Sequence, residues 1–414
     1  MLNGIKKYTS STKAKQVFSL YSVNLIAMPL TLVTSILLAR YLGPVKYGNY
    51  KFIINICSLL AVIVNVGLFQ SASRALLLNN DKKKSGEIYG ATFFLTLFLS
   101  LVMTIVLGII AVFYDDAETK SGLIVILPFA FVFLFIRITE VMLRADNKIN
   151  LLSQFKIGSP LLYLLAILLL FFFIKTYSVN HVIWGYVFSQ IICVVYLVFR
   201  LKVYFSNLRT QLHELWALNK SYGFHVYLGS LFSIGISYLN PVLVGLFSSN
   251  NIGVGFYSIA IAITSPLAMI PVTVATVFYR DFTNKESVPK KVMLVTIGLS
   301  LAALLLLCVI VKPFVNVFYG NEYDMVVPLT LIASIGTLLY GFGDFFNYFF
   351  SANGMGKLLR NTSIIVGTGT LLTNLLLVPN HGAYGAAFAK VAGGLIYAMT
   401  MLIYYYKNKK QQND

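Results

Sequence analysis

The stretch VFLFIRITEVMLRADNKINLL (132–152) carries two signals at once. Its first half is Phe, Leu, Ile and Val, the filling of a bilayer, interrupted by Arg137 and Glu140. A charge in hydrocarbon costs from about 3 to more than 10 kcal/mol, so a membrane segment that keeps two needs a reason. Its second half, LRADNKINLL (143–152), falls on FSANGMGKLL (350–359) when the sequence is shifted by 207 residues, half of its 414. That shift pairs Ala145 with Ala352 and the two dileucines with each other.

Other parts of the chain follow the same two signals. The residues are 58% hydrophobic and 11% charged, with a mean hydropathy of +0.80. Soluble domains carry about 25% charged residues, so the composition is that of an all-α integral membrane protein with little soluble mass. A helix needs about 20 apolar residues to cross 30 Å of hydrocarbon. Twelve such runs are present: 17–39, 52–71, 88–112, 122–143, 152–174, 181–200, 221–247, 256–278, 292–311, 327–350, 361–378 and 383–406. The repeat extends through them. KYGNY (46–50) falls on GVGFY (253–257), and at a shift of 200 NHVIWGYVF (180–188) falls on NHGAYGAAF (380–388). The expected architecture is twelve transmembrane helices in two pseudo-symmetric six-helix lobes, 1–200 and 221–414, joined by a linker at 201–220. Leu208, Leu212, Leu215 and Trp216 fall at helical spacing in that linker, which reads as an interfacial amphipathic helix.

Of the 32 Lys and Arg, 24 fall at the termini and in the even-numbered loops, and 6 fall in the odd-numbered ones. This positive-inside asymmetry places both termini in the cytoplasm. The net charge of +18 is then a topology device and a contact with anionic headgroups, and nucleic acid is not an expected partner. The polar, basic first sixteen residues do not read as a cleavable signal peptide. Cys57, Cys193 and Cys308 each sit in an apolar run, so packing is expected rather than a disulfide or a metal site. Asn180 and Asn380 stand where N-caps of the sixth and twelfth helices are expected, and His181 and His381 have no metal-binding company.

LLARYLGPVKYGNY (37–50) and NHGAYGAAFAK (380–390) resemble signatures of the polysaccharide-exporter branch of the multidrug/oligosaccharidyl-lipid/polysaccharide flippase superfamily. In size and loop length the chain is similar to the Wzx-type translocases of O-antigen or capsule repeat units. The resemblance implies a flippase of the bacterial inner membrane, not an enzyme and without a cofactor. Its implied substrate is an undecaprenyl-diphosphate-linked oligosaccharide, moved from the cytoplasmic to the periplasmic leaflet by alternating access, the substrate path lying between the lobes. A polymerase and a chain-length regulator of the same lipopolysaccharide pathway are the implied partners. Drug–cation exporters of the superfamily commonly use a first-helix carboxylate, whereas the first run here carries Asn24 and no acid. A membrane glycan polymerase is the other alternative, but no loop exceeds about twenty residues, and no DxD-like pair, P-loop or H-E-x-x-H occurs.

A diphosphate needs cations, and intramembrane charges face the protein interior or a water-filled cavity. The candidates are Arg137, Lys390 and, at the ends of the second and eighth helices, Arg74 and Arg280. At a shift of 207, Arg137 falls on Asp344 and Glu140 on Asn347, within YGFGDFFNYFF (340–350). Asp344 and Glu140 are the acids inside the runs, and either can neutralise Arg137 in an empty cavity; the alternative for Arg137 is an ion pair with Glu140 at i,i+3. Glycan contacts are expected from the seventh helix, at Tyr222, Tyr227, Tyr238, Asn240 and His225 among Gly223, Gly229 and Gly235. Gly235 and Pro241 in that helix, with Pro266 and Pro271 in the eighth, mark an expected gate.

Overall fold

The computed structural model describes residues 12–79, 81–174, 178–283 and 287–411. Among them no strand occurs, as expected of a chain whose backbone must satisfy its own hydrogen bonds in lipid. Eight helices are long and apolar enough to cross a bilayer on their own, and a bent pair makes a ninth crossing. Two of the eight are double. Thr12–Val64 breaks at Gly43 (φ 72°, ψ 171°), and Gly356–Gln411 breaks at Gly382 (φ 52°, ψ −127°). Both breaks need a left-handed backbone that only glycine adopts without strain, and Pro44 and Pro379 stand beside them. The last crossing is composite: residues 219–246 run through two π-helical turns and two α-helical pieces.

The described residues therefore carry the twelve expected spans, six to a lobe. The first span runs from Thr12 to the Gly43 break. The second continues to Val64, turns at 65–67 and resumes as Leu68–Leu78. Then come Lys82–Val112, the bent pair 117–145, Ile149–Phe173 and Val179–Leu201. A connecting helix, Leu208–Leu218, leads to the seventh span at 219–246. Ile252–Val277, Lys290–Phe318 and Val326–Ala352 follow, and the eleventh and twelfth spans lie either side of Gly382.

By packing the chain forms two compact units. One comprises residues up to Leu42 and Cys57–Leu228; the other comprises Gly43–Ile56 and Gly229–Asp414. In the first unit the fourth span is bent by 58°. Pro128 has no N–H to donate, a 3-10 turn forms at Leu127–Phe129, and the Thr104 hydroxyl of the third span donates to Leu127 O at 3.1 Å. The connecting helix is real but shorter than its linker, and the face it buries is Gln211 and Leu215, with Trp216 exposed. In the second unit Gly336 faces the Lys390 backbone, where a Cβ would lie 2.8 Å from Lys390 C, and Gly394 faces Gly336 O at 2.7 Å. Spans ten and twelve thus cross on small residues, the packing mode of helices in lipid. The same unit brings the two copies of a repeated motif together: a Cβ on Gly255 would lie 3.2 Å from Gly48 Cα, and Asn251 donates to Asn49 Oδ1 at 2.9 Å.

Two local expectations are corrected. Asn180 caps nothing: the sixth span starts one residue after Ser178, and the Asn180 amide donates instead to Ser121 Oγ at 2.8 Å. Asn380 lies before the Gly382 break and donates back to Leu376 O at 3.2 Å, so it closes the eleventh span rather than opening the twelfth. Cys57 and Cys193 are buried free thiols, while Cys308 is exposed on the ninth span.

Candidate functional site

Spans ten, eleven and twelve of the second unit hold a polar cluster inside an otherwise apolar bundle. Tyr340, Asp344 and Asn347 recur at i, i+4 and i+7 on the tenth span and so share one face. From the twelfth span the Tyr397 hydroxyl donates to Asp344 Oδ1 at 3.0 Å and accepts from Asn347 Nδ2 at 3.1 Å. The Tyr340 hydroxyl pairs with Thr370 Oγ1 of the eleventh span at 3.2 Å, and its ring lies 5.8 Å from that of Tyr397. Lys390 completes the cluster, its Nζ 5.2 Å from the Tyr340 ring centroid. Burial sets what this array can do. Asp344 and Lys390 are each half-buried, and neither takes part in an ion pair among the described residues. A half-buried ammonium held by one aromatic face retains donors for an anion, and the hydroxyls and amide around it can meet a glycan.

In the first unit Arg137 and Glu140 lie on Phe131–Ala145, both half-buried, with Arg137 about two turns from the helix end, as expected. Glu140 takes part in no ion pair among the described residues, so the i,i+3 pair with Arg137 does not form. Arg74 is exposed, its guanidinium 5.5 Å from the Tyr222 ring centroid. His225 is exposed on the first α-helical piece of the seventh span. Tyr227, expected to meet glycan, is instead a packing residue, 6% exposed, whose hydroxyl donates to Ile63 O at 2.7 Å. Asn240 is buried, donating to the Tyr257 hydroxyl at 3.3 Å and leaving Oδ1 without a partner. The side chains of Asn24 and Arg280 lie outside the described residues.

The gate residues fall on irregular backbone. Gly235 ends the π-helical turn Leu231–Gly235, with Pro241 buried in the helix that follows. Pro266 is exposed and Pro271 buried within Ile252–Val277. A π turn inserts a residue into the helical ladder and often marks a functional site.

One buried acid escapes sequence reasoning. Glu87 sits just before the apolar run at 88, but the third helix starts at Lys82, so Glu87 lies inside it at 6% exposure. Its Oε1 accepts from Ser206 Oγ and Asn207 Nδ2, both at 3.0 Å, and its Oε2 from Gln211 Nε2 at 3.4 Å. All three donors come from the segment leading into and through the connecting helix. Nothing local announced this; the donors stand about 120 residues away in sequence.

With this geometry in place, a family model described as polysaccharide biosynthesis protein matches residues 14–279. The chain belongs to this family. Among solved structures, this polysaccharide biosynthesis family member is similar over 96% of its length to an inward-facing multidrug resistance transporter of the MATE family and MOP superfamily. That likeness covers 98% of the transporter, with a TM-score of 0.73 at 15% identity. A lipid II flippase, MurJ, in an inward closed conformation gives a TM-score of 0.73 at 15% identity, covering 94% of this chain and 89% of the flippase. A MOP superfamily transporter from Pyrococcus furiosus, noted for reversed polarity of its binding pocket, gives 0.60 at 16% identity, covering 97% and 96%. At these identities the likeness establishes the fold. An uncharacterized membrane protein of Methanocaldococcus jannaschii is 24% identical over 188 residues, 42% of this chain and 36% of that protein, so the match spans about a third of the curated relative. The family member is thus a multi-pass membrane protein with the fold of MOP transporters and flippases.

Proposed function

We propose that the chain is a flippase for an undecaprenyl-diphosphate-linked oligosaccharide, an O-antigen or capsule repeat unit, in the bacterial inner membrane with both termini cytoplasmic. The observation that carries the reading is Lys390, about two turns into the twelfth span: a half-buried ammonium 5.2 Å from the Tyr340 ring centroid that joins no ion pair among the described residues. An uncompensated cation there costs several kcal/mol unless an anionic ligand uses it. Tyr397, Asn347 and Thr370, linked to the same cluster through Tyr340 and Asp344, offer hydroxyl and amide chemistry for sugars. Arg137, half-buried in the first unit, supplies a second cation whose forked guanidinium suits a phosphate. Movement is by alternating access, with the π turn at Leu231–Gly235 and Pro241 as the bending point of the seventh span. The lipid bilayer and the lipid-linked glycan are the partners, together with a polymerase and chain-length regulator of the same pathway.

A second reading, export of a cationic drug, is favoured by Asp344, a half-buried carboxylate that joins no ion pair among the described residues. Complementation of a flippase-null strain separates the two. Lys390→Ala and Arg137→Ala are expected to abolish surface-polysaccharide display at normal membrane abundance, and Arg137→Lys to keep part of it. Normal display from both alanine variants removes the cationic site. Drug resistance conferred by the wild type, lost in Asp344→Asn and kept in Lys390→Ala, establishes the second reading.

A further inference from the structure

The first unit has a cavity of about 440 Å³ that the transport reading does not use, where the fifth span begins and the sixth ends. Lys148, Asn150 and Gln154 line it from Ile149–Phe173 and its entry, and Arg200 from the last turn of Val179–Leu201. Its charge follows from its partners. Asp146, the acid beside it, is already occupied: its Oδ2 accepts from the Tyr89 hydroxyl at 2.7 Å and pairs with Lys148 Nζ at 2.8 Å. That ammonium lies 4.7 Å from the Tyr89 ring centroid as well. Arg200 is exposed, joins no ion pair among the described residues, and lies 6.0 Å from the Tyr196 ring centroid. The Tyr196 hydroxyl donates to Gln154 Oε1 at 2.9 Å, which commits that oxygen and leaves the Gln154 amide NH2 as a donor.

A third source of positive potential comes from the backbone. The fifth-span helix has 25 residues, no side-chain cap and no acid in its first turn. Its first ladder bond at that end is Leu152 N to Lys148 O at 3.0 Å. Ile149, Asn150 and Leu151 are lining residues, and their amides, before the first ladder bond, lack intrahelical acceptors and sit at the positive end of the helix dipole. A guanidinium, a carboxamide and a helix N-terminus converge, and Ile149 and Leu151 supply an apolar lip. The site lies at the ends of two spans, on the face where the chain concentrates Lys and Arg, which is headgroup depth. Basic pockets between membrane helices on that face take anionic lipid headgroups.

We propose that this cavity binds the phosphodiester of an anionic phospholipid, with Arg200 and the amides of the fifth span as its ligands. The lipid is distinct from any transported substrate, and the assignment stands whether or not the flippase reading does.

The full chain, purified from membranes, is placed in nanodiscs of phosphatidylcholine with or without phosphatidylglycerol, and lipid retained after extraction is read by native mass spectrometry. Wild type is expected to retain phosphatidylglycerol over phosphatidylcholine. Arg200→Ala is expected to lower that retention about five-fold, the equivalent of about 1 kcal/mol for one basic residue at an anionic surface. Arg209→Ala, on the connecting helix, leaves it unchanged. Asn150→Asp is the second variant: an acid in the first turn favours the helix itself while repelling an anion, so it should fold at least as well and retain less. Equal retention of the two lipids, or wild-type retention in both Arg200→Ala and Asn150→Asp, overturns the proposal. Release of phosphatidylglycerol by millimolar inorganic phosphate also overturns it, since the site then serves soluble phosphate.

Discussion

Glu87 in the third span and Asp344 in the tenth are both carboxylates inside membrane helices with no cation paired to them among the described residues, and the protein treats them in opposite ways. Glu87 is 6% exposed and accepts three hydrogen bonds from uncharged donors, spread over both oxygens. Asp344 is half-buried; its Oδ1 accepts one bond, from Tyr397, and nothing among the described residues donates to its other oxygen. A buried carboxylate with donors on both oxygens has little capacity left for a ligand, and its work is to fix the segment that supplies its donors. An under-saturated one keeps capacity, at a cost that a structural site has no reason to carry. Saturation therefore distinguishes the two acids where burial alone would rank Glu87 as the stronger functional candidate.

The largest expected effect is at Glu87. Glu87→Ala leaves the Ser206 hydroxyl and the Asn207 and Gln211 amides without their acceptor where the connecting segment packs on the third span. Hydrogen bonds to a charged group are worth about 1.5–3 kcal/mol each, and orphaned donors add desolvation. The expected loss is about 3 kcal/mol or more, seen as a lower unfolding midpoint in detergent and reduced membrane abundance. Glu87→Gln, which keeps one acceptor oxygen, should lose less than half of that. A fully stable Glu87→Ala variant with transport lost would reverse the comparison.

Asp344→Asn comes next, with the opposite signature. The Tyr397 hydroxyl still finds an oxygen, so stability should change by less than about 1 kcal/mol. On the proposed function, in which an acid in the span offsets cationic charge during the empty return, transport should fall about ten-fold or more; ten-fold corresponds to about 1.4 kcal/mol. Liposomes with an imposed potential and no pH or sodium gradient provide the measurement. Unchanged transport by Asp344→Asn would make Asp344 a second structural carboxylate.

The two acids also mark what the sequence could tell. Asp344 was legible because hydrocarbon surrounds it on both sides in the chain and because the repeat maps Arg137 onto it. Glu87 was not, because it adjoins the polar stretch 79–86 and its donors arrive from the connecting segment. The ends of the first and eleventh spans were readable as the ends of apolar runs at 39 and 378, whereas the π turns of the seventh span have no local sequence mark. The Asn180 and Asn380 caps were misjudged for a related reason. A cap is worth about 1 kcal/mol, and a competing partner, Ser121 or the Leu376 carbonyl, took each amide. Helix existence is written in composition; hydrogen-bond partners are written in the packing.

A smaller effect tests the cluster around Asp344. Tyr397→Phe removes the bond to Asp344 and the acceptor of Asn347 while keeping the ring beside Tyr340. One or two neutral-donor bonds at a half-buried site are worth about 1 kcal/mol. The expected outcome is a drop of about that size in stability and a partial loss of transport, with the double variant losing no more transport than Asp344→Asn alone. Simple additivity in that double-mutant cycle would place Tyr397 and Asp344 in separate roles.

The smallest expected effect lies on the same connecting helix as the largest. Glu214 pairs with Lys84 of the third helix at 3.0 Å, one turn from Glu87 along that helix. Judged by distance alone this is a better contact than Gln211 to Glu87 at 3.4 Å. Exposure decides otherwise: the two side chains are 43% and 46% exposed, so water and salt screen the pair and each side chain gives up entropy to hold it. Pairs of this kind contribute about 0–1 kcal/mol. Glu214→Gln should therefore lower stability by about 0.5 kcal/mol at most at low ionic strength, and by nothing measurable in 0.5 M salt, where the Debye length falls below about 5 Å. Glu87→Ala, whose bonds are buried, should keep its full effect at both salt concentrations. A salt-sensitive Glu87 effect, or a Glu214 effect as large, would mean that the connecting helix is held to the third span by charge rather than by the buried acceptor.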